Sequence, residues 1–316
     1  MPTNKTKLNM PLKRKTKRFI FALLMVALPV IQFSILYIYK NLNSILLAFQ
    51  TYQPNYNSIG YDVSFAGFEN FQAAFSILFS SNGFNMIKNS LILYVCNLVI
   101  VLGLALVFSY YISKKYLCSS LFRIVLFLPQ IISGVVLAIL YRFVVSDVFL
   151  NITKTITGLK PVLSLLDDPN TQYVTVLIYC IWIGFGTNVM IFTNAMSSIN
   201  ASLLESAQLD GVNIVQEFIY IYFPMIFPTF ITFIVTGMAA VFTDQMNMYS
   251  FFGTTGANFF DVFGFYLYRE AETAAVAGTK ITYSTLSALG LIITMIVAPL
   301  TLFVRKLLEK YGPNVD

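Results

Sequence analysis

Six times along its length this sequence runs for about twenty or more residues with no Asp, Glu, Lys or Arg near the middle of the run. The runs are roughly Phe19–Tyr39, Ser90–Ile112, Leu121–Val145, Gln172–Met196, Pro224–Thr243 and Ile281–Val304. A hydrocarbon core about 30 Å thick is crossed by about twenty helical residues. Within it every backbone N–H and C=O has to be satisfied inside the segment. The chain is therefore expected to fold as an all-α polytopic membrane protein with six transmembrane helices. Composition agrees, with 57% hydrophobic and 11% charged residues against about 25% charged in soluble proteins.

Charge placement predicts the topology. Seven of the twenty Lys and Arg residues fall in residues 1–18, which marks a basic tail on the cytoplasmic side. The apolar run at 19–39 is too long for a signal-peptide core, and no small-x-small cleavage site follows it; it reads as a first transmembrane helix. Residues 40–86 hold many aromatics, with Lys40 as the single base, and are expected outside. Helix is expected over Phe68–Leu78. The aromatics suit either an interfacial belt or a partner-docking surface. A core of five helices is assigned to 87–304, with Lys114 and Lys115 inside and the segment 146–171 outside. The tail 305–316, with Arg305, Lys306 and Lys310, is basic and inside, so both termini are expected to be cytoplasmic. Arg123 and Arg142, near the ends of the third run, are expected to snorkel to the headgroups. Pro129 is tolerable within that run because neighbouring helices can satisfy the carbonyl it frees.

One cytoplasmic segment breaks the charge rule. The loop 198–223 carries Glu205, Asp210 and Glu217 with no Lys or Arg. Ser202-Leu-Leu-Glu205 reads as a capping box with Ser202 as N-cap, and Gly211 as the release of that helix. Asn213 to Gln216 reads as a second cap. Ile214, Phe218 and Ile221 recur at helical spacing, and Pro224 and Pro228 mark re-entry into the membrane. Two short helices joined at Asp210-Gly211 would present acidic groups to a partner with basic or amide donors.

Several chemistries are excluded or disfavoured. No Gly-x-x-x-x-Gly-Lys-Ser/Thr run is present to cradle phosphates, so the chain is expected to bind no cofactor itself. It has no histidine, and Cys96, Cys118 and Cys180 are scattered, which argues against a zinc site. The basic residues cluster at membrane edges, which argues against nucleic acid. Intramembrane ionisable groups, the mark of proton-coupled carriers, are missing from the middles of the runs. A sodium site built from carbonyls would escape that test, so an ion-coupled secondary carrier stands as an alternative. A lipid-modifying membrane enzyme is a further one, with Asp167, Asp168 and Asp261 as its candidate carboxylates.

The pattern Glu205-Ser206-Ala207-x-x-Asp210-Gly211, followed by Phe218, Ile221 and Pro224, resembles the EAA loop of binding-protein-dependent ABC importer permeases. Ser206 stands where that pattern has alanine. Phe65-Ala-Gly-Phe-Glu-Asn-Phe71, Asn89-Ser90 and Leu267-Tyr-Arg-Glu-Ala271 are similar to segments of the maltose- and glycerol-phosphate-type sugar permeases, whereas Thr254-Thr-Gly-Ala257 departs from the usual Thr-Gly-Gly-Pro. The resemblance implies a type I ABC importer permease fold in the bacterial plasma (inner) membrane. It implies a coupling role for Glu205, Ser206, Ala207, Asp210, Gly211, Phe218 and Pro224. The partners implied are a cytoplasmic ATPase dimer that holds ATP and Mg, a second homologous permease chain, and an extracytoplasmic solute-binding protein that delivers a sugar or oligosaccharide. Recognising sugar in an apolar path takes hydroxyl-matching polar groups and flat aromatic faces. Trp182, Asn188, Thr232, Thr236, Gln245, Asn247 and Tyr249 are the candidates, Gln130 and Ser133 weaker ones, and helix–helix hydrogen bonding is the competing role for each. The purified chain alone is expected to hydrolyse no ATP in a phosphate-release assay; turnover by the isolated polypeptide would contradict the multi-subunit reading.

Overall fold

The computed structural model describes residues 14–54, 61–158, 163–253, 260–274 and 283–313. Among them six helices are long and apolar enough to cross a membrane: Thr16–Leu47, Ser81–Ser113, Gly134–Ile156, Gln172–Ser197, Ile214–Ala240 and Tyr283–Tyr311, here spans one to six. Large apolar side chains such as Leu28, Val107, Ile139 and Phe303 are exposed along them. In water that would be a defect, but lipid tails are as apolar as leucine. The helices overrun the expected runs at several ends. Span one continues past Tyr39 to Leu47, and span six passes Arg305 without a break. Polar residues at a membrane edge do not stop a helix whose backbone ladder is already formed.

The third run is the main departure. It divides into a helix Ser119–Ile131 and span three, with Ile132 and Ser133 extended between them. Pro129 weakens the ladder just upstream, and Gly134 restarts it. Segment 146–171 is consequently helical as far as Thr157. The break also moves Arg142 from the end of a helix to near the middle of span three. It does not snorkel to a headgroup: its Nη1 donates to the Phe251 carbonyl at 2.9 Å, at the end of a short helix Met248–Phe252.

Residues 40–86 are not wholly helical. Strands β1 (Gln50–Pro54) and β2 (Tyr61–Phe65) pair antiparallel, with Gln50 opposite Phe65 and Tyr52 opposite Val63. The following helix, Glu69–Leu78, matches the expected one. Its Asn70 ties it to the hairpin, donating to the carbonyls of Ala48 and Gln50 at 2.9 and 3.0 Å. Phe71 and Ala74 pack with Met86, Phe263 and Leu289 in one cluster, while Phe75 and Phe79 stay exposed.

Two further clusters complete the core. Tyr179, Val176, Leu137, Met248, Phe251 and Phe265 join spans three and four to the segment after span five. Leu102, Ala105, Tyr110, Phe192, Met196, Tyr222 and Ile226 join spans two, four and five at the end that bears the acidic loop. By contrast, the most apolar stretch of span one buries none of its residues. Spans one, two, three and five each contain a π turn, at Ser34–Tyr39, Asn97–Val101, Val144–Val148 and Phe218–Tyr222.

Helix Ser119–Ile131 crosses span four at close range. A Cβ at Gly186 would collide with the Leu126 carbonyl oxygen, whereas one at Gly103 would meet nothing within 4 Å. Small residues are what let helix backbones approach in lipid. Gly186→Ala is therefore expected to cost about 1–3 kcal/mol through overpacking and Gly103→Ala much less. Thermal unfolding of the detergent-solubilised variants would show the difference.

Candidate functional site: an acidic turn and a polar cavity

The acidic loop is built from its caps outward. Its first helix, Ala201–Leu209, is capped by Asn200, whose side chain accepts from Ser202 N–H at 3.1 Å. Ser202 is thus inside the helix and not its cap, because Ala201 is already helical. The Ser202 carbonyl accepts from the Ser206 hydroxyl at 2.9 Å. Glu205 is accordingly free of any capping duty. At the other end Gly211 takes φ +77°, Gly211 N–H donates to Gln208 O at 3.1 Å and Val212 N–H to Ala207 O at 3.2 Å. This pair of bonds is the Schellman closure. A Cβ on Gly211 would touch nothing, so the residue is needed for its backbone angle alone. The second cap holds as expected: Asn213 and Gln216 exchange bonds of 3.1 and 2.9 Å.

The loop has an outward and an inward side. Glu205, Ser206 and Asp210 are exposed, and among the described residues neither the Glu205 nor the Asp210 carboxylate has a hydrogen-bonding or ionic partner. Around them Leu209 is 89% exposed, Ile214 59% and Val215 64%. Ala207 is buried. Phe218 is turned inward, its ring 5.4 Å from Tyr110 and 6.5 Å from Phe223. The expected common face of Ile214, Phe218 and Ile221 is therefore not uniform: Ile214, in the first turn, is exposed, whereas Phe218 and Ile221 are half-buried. Pro224 closely follows that turn and, with Phe227, Pro228, Thr232, Arg305 and Glu309, lines an open groove of about 980 Å³ between spans five and six.

Glu217 corrects the picture of three carboxylates awaiting a partner. It is 5% exposed; its Oε1 lies 2.5 Å from Lys114 Nζ and its Oε2 accepts from the Tyr110 hydroxyl at 2.9 Å. Breaking such a buried pair by removing one member costs about 3–5 kcal/mol, since the other charge is left buried.

The polar residues proposed for a path fall into separate groups. Asn188 and Thr236 line one cavity of about 140 Å³ with Tyr94, Asn97, Phe233 and Gly237, between spans two, four and five. Asn97, missed in the sequence reading, interrupts a long apolar run with a polar amide. Among the described residues no hydrogen bond engages the side chain of Asn97 or Asn188. The Tyr94 hydroxyl donates to Ile234 O at 3.1 Å. Thr232 and Thr236 return their hydroxyls to the carbonyls of Pro228 and Thr232; Thr232 faces the groove, and Thr236 borders both groove and cavity. Trp182 is elsewhere, 6.4 Å from Tyr141 and 6.3 Å from Tyr179. Gln245, Asn247 and Tyr249 follow span five: Gln245 Oε1 is buried without a partner, Asn247 has φ +57°, and the Tyr249 ring meets Tyr268 at 5.0 Å. Gln130 Nε2 donates to Ile183 O, a helix–helix bond.

At the end of the bundle away from the loop, two distant segments meet. Asn89 Nδ2 donates to Asp261 O at 3.1 Å and Phe263 N–H to Ser90 Oγ at 2.9 Å. Arg269 pairs with Asp261 at 2.8 Å and lies over the Phe265 and Tyr266 rings. Burial, followed by the neighbouring Glu270 charge, pushes the Tyr266 hydroxyl up to about 12, so it stays protonated at physiological pH. The carboxylates considered for enzymatic work each make a structural contact: Asp261 Oδ2 to Arg269, with its Oδ1 buried and unpartnered, Asp167 to the Ser164 hydroxyl, and Asp168 to the Asn170 N–H. Thr254–Ala257 lies outside the described residues, among which no cluster suited to a metal ion occurs.

Residues 100–313 match the family of binding-protein-dependent transport system inner membrane components. The chain belongs to that family. It is a multi-pass ABC importer permease, a transport component and not itself an enzyme. The match starts within span two, and so covers the loop, the cavity walls of spans four and five, and span six. Over 249 residues the chain is 26% identical to the arabinooligosaccharides transport system permease protein AraP of Halalkalibacterium halodurans, covering 76% of this chain and 74% of that one. The fold is that of a chain in the crystal structure of a bacterial ABC transporter involved in the import of the acidic polysaccharide alginate, with a TM-score of 0.75 and 22% identity over 94% of this chain and 98% of that one. A second structure of an alginate transporter, in complex with an alginate pentasaccharide-bound periplasmic protein, gives 0.74 and 22% over 96% and 99%.

The Gly211 backbone angle is the most direct local test of the loop. Gly211→Ala is expected to cost about 1–2 kcal/mol for a left-handed residue with a Cβ. Faster proteolytic cleavage at the loop, with no change elsewhere, is the measurable result.

Proposed function

We propose that this chain is one of two permease subunits of an ATP-driven importer of oligosaccharides, and that the helix Ala201–Leu209 with its Gly211 turn docks on a cytoplasmic ATPase subunit. The observation that carries the reading is the outward side of that loop. Two uncommitted carboxylates, Glu205 and Asp210, lie on and at the end of a helix capped at one end and closed at Gly211 at the other; exposed Leu209 ends that helix, and exposed Ile214 and Val215 begin the next. A short capped helix with exposed charge and neighbouring exposed apolar side chains fits helix-in-groove docking. On this reading both termini and the 113–120 turn are cytoplasmic, ATP and Mg belong to the ATPase dimer, and a homologous permease completes the pore. An extracytoplasmic binding protein delivers substrate to the opposite end.

The substrate class is supported by the relatives. AraP is named for arabinooligosaccharides and the structural neighbours for alginate, both oligomeric sugars. Tyr94, Asn97, Asn188 and Thr236 suit sugar hydroxyls because their cavity offers two amides not already spent on the protein. Trp182, Gln245, Asn247 and Tyr249 stand as further path residues toward the other end. The test is the chain with its co-purifying subunits in proteoliposomes. Glu205→Lys is expected to leave the chain inserted while lowering sugar- and binding-protein-stimulated ATPase activity at least tenfold, equivalent to about 1.4 kcal/mol. Wild-type stimulation in that variant would refute docking through Glu205.

A further inference from the structure

The third carboxylate of the loop is bound to a different part of the molecule from the other two. Glu217 and Lys114 are 103 residues apart in sequence. Lys114 is the residue that follows the last turn of span two. Its ammonium also lies 5.7 and 5.9 Å from the rings of Tyr222 and Tyr110. Tyr110 donates to the same carboxylate and meets Phe218 and Tyr222 edge-on. Both oxygens of Glu217 are thus engaged, each by a group on or next to span two.

This matters because the loop is joined covalently to spans four and five only. Ser197, the last residue of span four, precedes it, and span five grows out of Ile214. Span two can follow the loop only through noncovalent contact, and the ion pair with its tyrosine bond is the directed, charged part of that contact. Neither charge can separate into the apolar surroundings without leaving the other unpaired, so the joint holds or breaks as a unit. Span two carries Tyr94 and Asn97 into the polar cavity. It is one continuous helix from there to Lys114 apart from its π turn.

We propose that Lys114 and Glu217 form a positioning clasp that makes span two move with the loop, so that displacement of the docked helix reaches the cavity wall bearing Tyr94 and Asn97. The proposal rests on the reading of the loop as the ATPase-docking element. A pair serving the fold alone would affect assembly and thermal stability, but not the amount of sugar moved per ATP.

The double variant K114M/E217Q removes both charges together and leaves a side-chain amide oxygen able to accept from Tyr110. In the complete complex, reconstituted with its ATPase, its partner permease and the binding protein, it is expected to retain its ATPase subunits on purification. Sugar taken up per ATP hydrolysed should fall about fivefold or more. The charge-swapped K114E/E217K is expected to regain at least half of the wild-type ratio, and the single K114E to regain none. A wild-type ratio in the double variant would overturn the clasp. If that variant does not assemble, the swap and K114E decide: equal ratios in the two overturn the clasp, and a higher ratio in the swap supports it. Glu205→Lys, measured in parallel, separates the two readings. Loss of stimulation there beside an unaffected double variant removes only the clasp, whereas full stimulation there removes the docking role itself.

Discussion

The chain's architecture follows from the cost of leaving a backbone amide or carbonyl unpaired in hydrocarbon. That cost holds each span in helical form even where its side chains offer little to pack against, as in span one. It also confines irregular backbone to places where protein or polar groups surround it. The interruption at Ile132-Ser133 obeys the rule: the neighbouring Gly134 carbonyl receives the Tyr179 hydroxyl at 3.3 Å, and Leu137 N–H reaches back to Ser133 O. The stretch after span five is held in the same way, through Asp244, Arg142 and the aromatic cluster around Phe251.

Hydropathy and charge made the six helices readable because both are properties of composition along the chain, averaged over a full span. The acidic loop was readable for the opposite reason: its spacing is local, and Gly211 and the Asn213–Gln216 box are chemical requirements of a turn and a cap. What escaped depended on a neighbour. Nothing near Glu217 in sequence distinguishes it from Glu205; only Lys114, brought in from span two, makes one carboxylate internal and leaves the other facing out. Arg142 was misplaced because a two-residue break moved the end of its helix. The cap fell on Asn200 and not Ser202 because both residue types cap equally well. The path residues were identifiable as polar groups in apolar surroundings, yet their division among separate surroundings is a matter of helix rotation, and Asn97 belonged with Asn188 all along.

The loop thus combines two electrostatic strategies within a dozen residues. Exposed carboxylates on a capped helix keep their charge available to another molecule, at little cost while water surrounds them. The buried carboxylate is neutralised inside the chain and gains rigidity from it. The Schellman closure at Gly211 and the capping box after it join the exposed and the buried carboxylates through a short, hydrogen-bonded turn. The family match encompasses this whole unit and leaves out the first span and the hairpin, which agrees with a core whose packing does not involve the apolar stretch of span one.

Each π turn holds about one residue more than an α turn, so the faces of the helix before and after it differ in phase by roughly 100°. In span five this separates the loop-facing residues up to Glu217 from the cavity-facing Phe233 and Thr236. In span two it separates Tyr94, on the cavity, from Tyr110, under the loop. A single amphipathic projection of either span superimposes two surfaces that belong to different neighbours. The two halves of such a helix are therefore separable in sequence: residues on the cavity side can change without disturbing the fit of the other half to the loop.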